Sequence, residues 1–339
     1  MKRMAMKSIF ALALAAACVL GPAGTALAEA NRIQVARQPG LSFLPLMVIE
    51  DRKLIERHAK SLGLGDVEVT WLRFNSGAAM IDAALSGNLD VAASGVPPLV
   101  TIWARTKGNA DVRGIAALNS IPLTLNTTNR NMKSLEDIGE GDRIAIPAVK
   151  VSVQAVILQM AAAKKWGQDQ YTRLDRHTVS MSHPDGTIAL LSGRSEITAH
   201  MSGPPFQNQQ LEDPRVQKVF SSYDVVGGPA TTNVVWTTTK FHRENPKLYK
   251  AFLAALAEAQ DIINGDFKAA AQLYVRVDKS KLAPEFIERI LSDPQLRFTV
   301  VPENTMRFAN FMHAIGSVKQ KPDSWKDLFF PELHDRPGS

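Results

Sequence analysis

Cysteine is almost absent from this chain of 339 residues: there is one, Cys18, close to the N-terminus. Everything downstream therefore lacks a disulfide, a thiolate nucleophile and a cysteine metal site. Charge of one sign is also scarce. With 39 Lys plus Arg against 33 Asp plus Glu and no basic block, there is no electrostatic footprint for nucleic acid, which is set aside as a partner. Beyond Leu20 no apolar run approaches the roughly 20 residues of a membrane span. Gly-x-Ser-x-Gly, phosphate-loop and Gly-x-Gly-x-x-Gly patterns are missing, so hydrolase, nucleotide and dinucleotide chemistry have no support. No His-Glu-x-x-His or paired histidine motif offers a metal site, and no cofactor is expected. A composition that is 45% hydrophobic and 21% charged excludes disorder, collagen and coiled coil.

What is present begins with Lys2, Arg3 and Lys7, an apolar run from Ile9 to Leu20, a Gly-Pro break and Ala26-Leu27-Ala28. This is the order of a cleaved secretory signal peptide, assigned to residues 1–28. Cleavage after Ala28 removes three cations and no acids, so the net charge falls from +6 to +3 over the remaining 311 residues (339 − 28). Ala15-Ala16-Ala17-Cys18 loosely resembles a lipid-attachment site, but Ala15 stands where such sites carry Leu, and the better cleavage site lies downstream. The processed chain is expected in the periplasm.

From Ile33 onward short apolar strands alternate with helical stretches, the pattern of an α/β protein with a largely parallel sheet. Strands are expected at Arg32 to Ala36, Val67 to Leu72 and Leu89 to Ala93. Helices are expected from Phe43 to His58, after the Asn75-Ser76-Gly77 cap with Met80, Ala84 and Leu85 on one face, and from Pro97-Pro98 through Trp103. Further on, a strand at Arg143 to Ile146 precedes a helix from Ser152 to Trp166, and a strand at Asn233 to Thr237 precedes a mainly helical C-terminal segment.

One stretch occurs twice. Leu85-Ser86-Gly87-Asn88-Leu89-Asp90-Val91-Ala92-Ala93, with Ser94-Gly95 and Pro97-Pro98 after it, returns 106 residues later. The second copy is Leu191-Ser192-Gly193-Arg194-Ser195-Glu196-Ile197-Thr198-Ala199, with Ser202-Gly203 and Pro204-Pro205. In each, a helix stops at glycine, a short strand follows, and a small-residue turn opens the next helix. Two similarly built lobes are predicted: 29–121 with 238–339 as lobe one, and 122–237 as lobe two. Without a low-complexity linker, they should join through short strand crossings that act as a hinge. Both repeated turns end strands, where open α/β sheets bind ligands, so the two edges face each other across a cleft.

Candidate ligand residues follow from that placement. The first strand-to-helix turn supplies Gln38, Pro39, Gly40, Ser42 and Phe43, with Phe43 as an apolar wall. Ser76, Gly77, Ser94 and Gly95 lie on the same edge, where glycine lets backbone amides approach a ligand. In lobe two the amino end of the helix at Ser152, with Lys150 beside it, is suited to an anion. His183 and His200 are placed to donate to an oxyanion, and Trp236 stands at the return crossing as a second aromatic wall.

Four segments carry a family resemblance: Ala36-Arg37-Gln38-Pro39-Gly40, the first copy of the repeat, Lys133-Ser134-Leu135-Glu136-Asp137-Ile138, and Phe241 to Pro246 before an amphipathic helix. Together with the leader they resemble the periplasmic solute-binding proteins of nitrate, sulfonate and taurine ABC transporters. The resemblance implies a type II-like two-lobed periplasmic-binding-protein fold with a two-strand hinge. It also implies a monomer that closes over one small solute and delivers it to a membrane permease. The sequence departs from the sulfonate-binding pattern at His200-Met201-Ser202 and at Pro147 to Ser152. A small organic anion is the favoured solute. A neutral heteroaromatic such as a thiamine-pyrimidine precursor, an enzyme of the pyrimidine-synthase lineage on the same fold, and a sensor-kinase partner remain as alternatives.

Overall fold

A computed structural model describes residues 29–339; the predicted leader lies outside them. Ten strands form two sheets of five. The strands are β1 (Arg32–Arg37), β2 (Glu68–Arg73), β3 (Val91–Gly95), β4 (Arg113–Ser120), β5 (Thr124–Thr127), β6 (Ile144–Ile146), β7 (Thr178–Ser180), β8 (Ala199–Ser202), β9 (Gln217–Ser221) and β10 (Thr231–Thr237). The first sheet has the order β2-β1-β3-β10-β4 and the second β7-β6-β8-β5-β9. In both, the third strand runs parallel to its neighbour on one side and antiparallel to the other. The third strands are β3 and β8, which begin within the two copies of the repeat, at Val91 and Ala199, so the repetition in sequence is a repetition of topology. The two-lobed α/β plan is the one expected from the sequence, but the sheets are mixed rather than largely parallel: β10 in the first sheet and β5 in the second run antiparallel to both neighbours.

Eight helices surround the sheets up to the return crossing: α1 (Leu44–Arg52), α2 (Leu54–Ser61), α3 (Gly77–Leu85), α4 (Val96–Thr106), α5 (Val153–Trp166), α6 (His183–Ser192), α7 (Phe206–Leu211) and α8 (Ser222–Val226). The C-terminal segment adds α9 (Thr239–Glu244), α10 (Pro246–Gly265), α11 (Phe267–Asp278), α12 (Pro284–Leu291), α13 (Thr305–Ala314) and α14 (Trp325–Leu328). Helix α10 buries Leu248, Phe252, Leu256, Ala259 and Ile263, the stripe its 3.6-residue period dictates, and packs on α1 and α2.

Three readings of the sequence are corrected. The helix expected from Phe43 to His58 is broken at Lys53, whose left-handed backbone (φ 50°) ends α1 and starts α2. Leu85 is 52% exposed, because the inner face of α3 is Met80, Ile81 and Ala84. Strand β10, assigned to lobe two, lies in the first sheet between β3 and β4, antiparallel to both.

The chain passes from the first sheet to the second between β4 and β5, and returns between β9 and β10. The two crossings are bonded to each other. Thr232 Oγ1 donates to the Ile121 carbonyl at 2.6 Å, the Leu123 N–H donates to Ser222 Oγ at 2.9 Å, and the Ser222 N–H donates to the Leu123 carbonyl at 2.7 Å. The C-terminal segment braces them. The Ala117 N–H donates to the Val300 carbonyl at 3.0 Å, the Thr231 N–H to the Glu303 carbonyl at 2.9 Å, and Ser120 Oγ to Glu303 Oε2 at 2.6 Å.

Candidate ligand-binding cleft

The carboxyl ends of the central strands of both sheets open on one cavity of about 510 Å³ of non-atom space, mouth included. Four helices begin on it: α3 at Gly77, α4 at Gly95, α5 at Ser152 and α6 at His183. Each brings the positive end of its dipole. Ser152 caps α5, its Oγ accepting from the Ala155 N–H at 3.2 Å, so the hydroxyl proton and the first free N–H groups of the helix remain for a ligand.

No side chain lining the cavity carries a full charge. Polar groups are supplied by Gln38, Ser42, Ser152, Gln154, His183, Thr232 and Asn233, and apolar walls by Phe43 and Phe206. Asn233 is 6% exposed, and its Oδ1 has no hydrogen-bond partner among the described residues. Leaving such an acceptor unpaired costs about 1–3 kcal/mol, which a hydrogen-bond donor on a ligand relieves.

Of the residues picked from the sequence, Gln38, Pro39, Ser42, Phe43, Gly77, Gly95, Ser152 and His183 line this cavity. Six do not, and each has a physical reason. Gly40 (φ 111°) holds the lobes together instead: a Cβ there would lie 3.1 Å from the Phe206 ring and 3.3 Å from the Pro204 carbonyl. Ser76 is spent as the cap of α3. Trp236 is buried in the first sheet and donates through Nε1 to Ser94 Oγ at 2.8 Å, so this pair is core rather than wall. Lys150 sits in a left-handed turn (φ 67°) with its side chain exposed. His200 is fully buried one ring behind His183, Nε2 to Nδ1 at 3.0 Å. Its ring fits under α6 only because residue 186 is glycine, where a Cβ would come within 2.9 Å of His200 Cε1.

Gln154, Phe206, Thr232 and Asn233 were missed. Gln154 lies in the first turn of a helix whose start was predicted, and Phe206 directly follows the repeated Pro-Pro turn, so both positions were readable. Loss of water lowers the pKa of His183 to about 4 and holds that of His200 well below the usual histidine value, with the His183 ring as a second cause for His200. Both rings are neutral at pH 7.

The two faces of the cleft touch. The Leu41 N–H donates to the Pro204 carbonyl at 3.0 Å, and Gly95 packs on Val153 so closely that a Cβ would lie 3.0 Å from Val153 Cβ. Among the described residues, no group of three or more His, Cys, Asp or Glu is placed to hold a metal ion, and no helix is long and apolar enough to cross a membrane.

This architecture is shared with solved structures. The alkanesulfonate-binding protein SsuA of Xanthomonas axonopodis pv. citri, bound to MOPS, superposes with a TM-score of 0.68 at 17% identity, over 86% of this chain and 96% of that one. The periplasmic aliphatic sulphonate-binding protein SsuA of Escherichia coli gives 0.64 at 16% identity, over 90% and 99%. The periplasmic nitrate-binding protein NrtA of Synechocystis PCC 6803 gives 0.60 at 15% identity, over 78% and 70%. At these identities the likeness is one of fold. No curated protein matches in sequence. The model of the NMT1-like family matches residues 27–277, about three quarters of the chain, and the chain belongs to that family.

Proposed function

We propose that this protein is the extracytoplasmic solute-binding component of an ABC importer, exported by the leader at 1–28, and that its lobes close on a small organic anion, sulfonate- or carboxylate-like, for delivery to a permease. The observation that carries this reading is the meeting of four helix amino ends on a cavity without a charged side chain. Partial positive charge converges there with no carboxylate to oppose it, so an anion is met by N–H groups and neutral donors rather than by a counter-ion. Phe43 and Phe206 suit a short apolar tail. The likeness in fold to binding proteins for alkanesulfonate and nitrate supports the same class.

The test is a thermal-shift panel of short sulfonates, carboxylates, nitrate and neutral pyrimidines, followed by calorimetry. A ligand at about 100 times its dissociation constant stabilises by roughly 2.7 kcal/mol. Stabilisation by pyrimidines alone would replace the anion reading with the heteroaromatic one, the two phenylalanines then acting as stacking walls.

A further inference from the structure

A buried line of hydrogen bonds runs from the cavity into the second sheet, and its direction follows from its far end. Asn126 in β5 has one amide atom 3.0 Å from the Gln207 backbone carbonyl. A carbonyl only accepts, so that atom is Nδ2. The same Nδ2 lies 3.0 Å from the Gln210 side chain, which must therefore turn its oxygen to Asn126. Gln210 Nε2 is then left to donate, to Thr187 Oγ1 at 2.9 Å and to His200 Nδ1 at 2.7 Å. With Nδ1 accepting, neutral His200 carries its proton on Nε2, and that proton points at His183 Nδ1, 3.0 Å away. His183 Nδ1 accepts in turn, which leaves the proton of His183 on Nε2.

His183 Nε2 stands 3.1 Å from Gln154 Nε2, and both residues line the cavity; two N–H donors cannot face each other, so the Gln154 amide must be turned end for end. The two ends of an amide have the same shape, and the network decides which is which. Facing an N–H, the Gln154 atom nearest His183 is its oxygen, and the Gln154 NH₂ turns away from the ring. Every bond from the Gln207 carbonyl to His183 is then satisfied in one orientation only.

We infer that His200, Gln210 and Asn126 are positioning residues that lock neutral His183 as its Nε2–H tautomer and Gln154 with its oxygen on that N–H, so that this edge of the cleft offers donors, the Gln154 NH₂ or the His183 N–H once a solute oxygen displaces Gln154, and selects a solute presenting an acceptor there. The choice of acceptor deepens the anion reading and rests on it; the tautomer does not. A neutral donor of fixed direction distinguishes an oxyanion or carbonyl oxygen from an ammonium or hydroxyl hydrogen without adding charge. Burial, which keeps both rings unprotonated at pH 7, is what makes a single tautomer possible.

The experiment is long-range nitrogen–proton correlation spectroscopy of the histidine rings in the nitrogen-labelled processed protein at pH 7. Without ligand, His183 and His200 should each show a protonated Nε2 and a bare Nδ1. A proton on His183 Nδ1 overturns the inference, and this reading requires no variant to fold. In Gln210→Leu the donor to His200 is gone, and the ring signals should move toward a mixture of tautomers; unchanged proton positions there would reduce Gln210 to packing. With ethanesulfonate at saturation, the His183 Nε2–H signal should shift while Nδ1 stays bare, and His183→Phe should weaken binding at least tenfold. If neither ethanesulfonate nor acetate binds although both rings hold the Nε2 proton, the anion reading falls and the relay stands.

Discussion

Gly95→Ala tests whether the contact between the lobes is the ligand-bound geometry. Gly95 has an ordinary extended backbone (φ −65°, ψ 161°), so alanine costs nothing locally. In the unfolded chain it removes freedom, which stabilises by about 0.4–1 kcal/mol where the native backbone accepts it. The cost arises across the cleft, where the new methyl would lie 3.0 Å from Val153 Cβ and 3.2 Å from Val153 Cγ1. Overpacking of this kind typically costs about 1–3 kcal/mol. Because the lobes can part to escape the clash, the cost should fall on closure and appear as a loss of affinity of roughly five- to 150-fold, with no loss of thermal stability. Calorimetry with the best ligand measures the first and a denaturation curve the second. Val153→Ala removes the opposing atoms, so Gly95→Ala with Val153→Ala should bind within about threefold of Val153→Ala alone. If the double variant stays as weak as Gly95→Ala, the methyl clashes with the solute and not with the other lobe. Unchanged affinity in Gly95→Ala would remove the claim that this contact forms on binding.

At the amino end of α5, Ser152→Gly keeps most of the helix cap but loses the hydroxyl, and should weaken anion binding about tenfold, since hydrogen bonds to charged groups contribute roughly 1.5–3 kcal/mol; a change under twofold by calorimetry refutes a direct contact. Lys150→Ala should leave affinity within twofold, because Lys150 is exposed and outside the cavity. Acid should destabilise the fold through His183. Its pKa is about 4 when folded against 6.5 in the free side chain, so as pH falls below 6.5 the unfolded chain binds a proton that the native state refuses, at a cost of up to about 3 kcal/mol near pH 4. Urea midpoints between pH 7 and 4.5 should therefore drop less steeply in His183→Gln than in the parent, and parallel curves would refute this. Scattering at saturating ligand should give a smaller radius of gyration than the free protein, and an unchanged radius would remove the hinge. N-terminal sequencing of the exported protein should begin at or next to Glu29, whereas a lipidated Cys18 start would make it an anchored protein.

The repeat revealed the two-sheet plan because each copy leads into the central strand of its sheet, and a buried central strand imposes the strongest local pattern. Strand β10 left no such mark. Thr231-Thr232-Asn233-Val234-Val235-Trp236-Thr237 is wholly buried but half polar, and nothing local says that it slots back between β3 and β4. The glycines and serines of the cleft were readable from the turns they occupy. Lys150 and His200 were placed by their distance from a turn, and that distance does not tell which way a side chain points. A left-handed backbone turned Lys150 outward, and the pleat of β8 set His200 beneath α6. Neither event follows from neighbouring residues alone.

The place of β10 also orders events in time. Strands β5 to β9 all lie between Thr124 and Ser221, so the second sheet can assemble as soon as that stretch is available. The first sheet cannot join β3 to β4 until Thr237 has arrived, and the brace from Val300 and Glu303 comes later still. Closing so long a loop is slow, because its entropy is lost before distant contacts repay it. In pulse-labelled exchange during refolding, β5 to β9 should gain protection before β3, β4 and β10, and simultaneous protection would refute this order. On this order, the half of the molecule built from both ends of the described chain is the last to become a folded body.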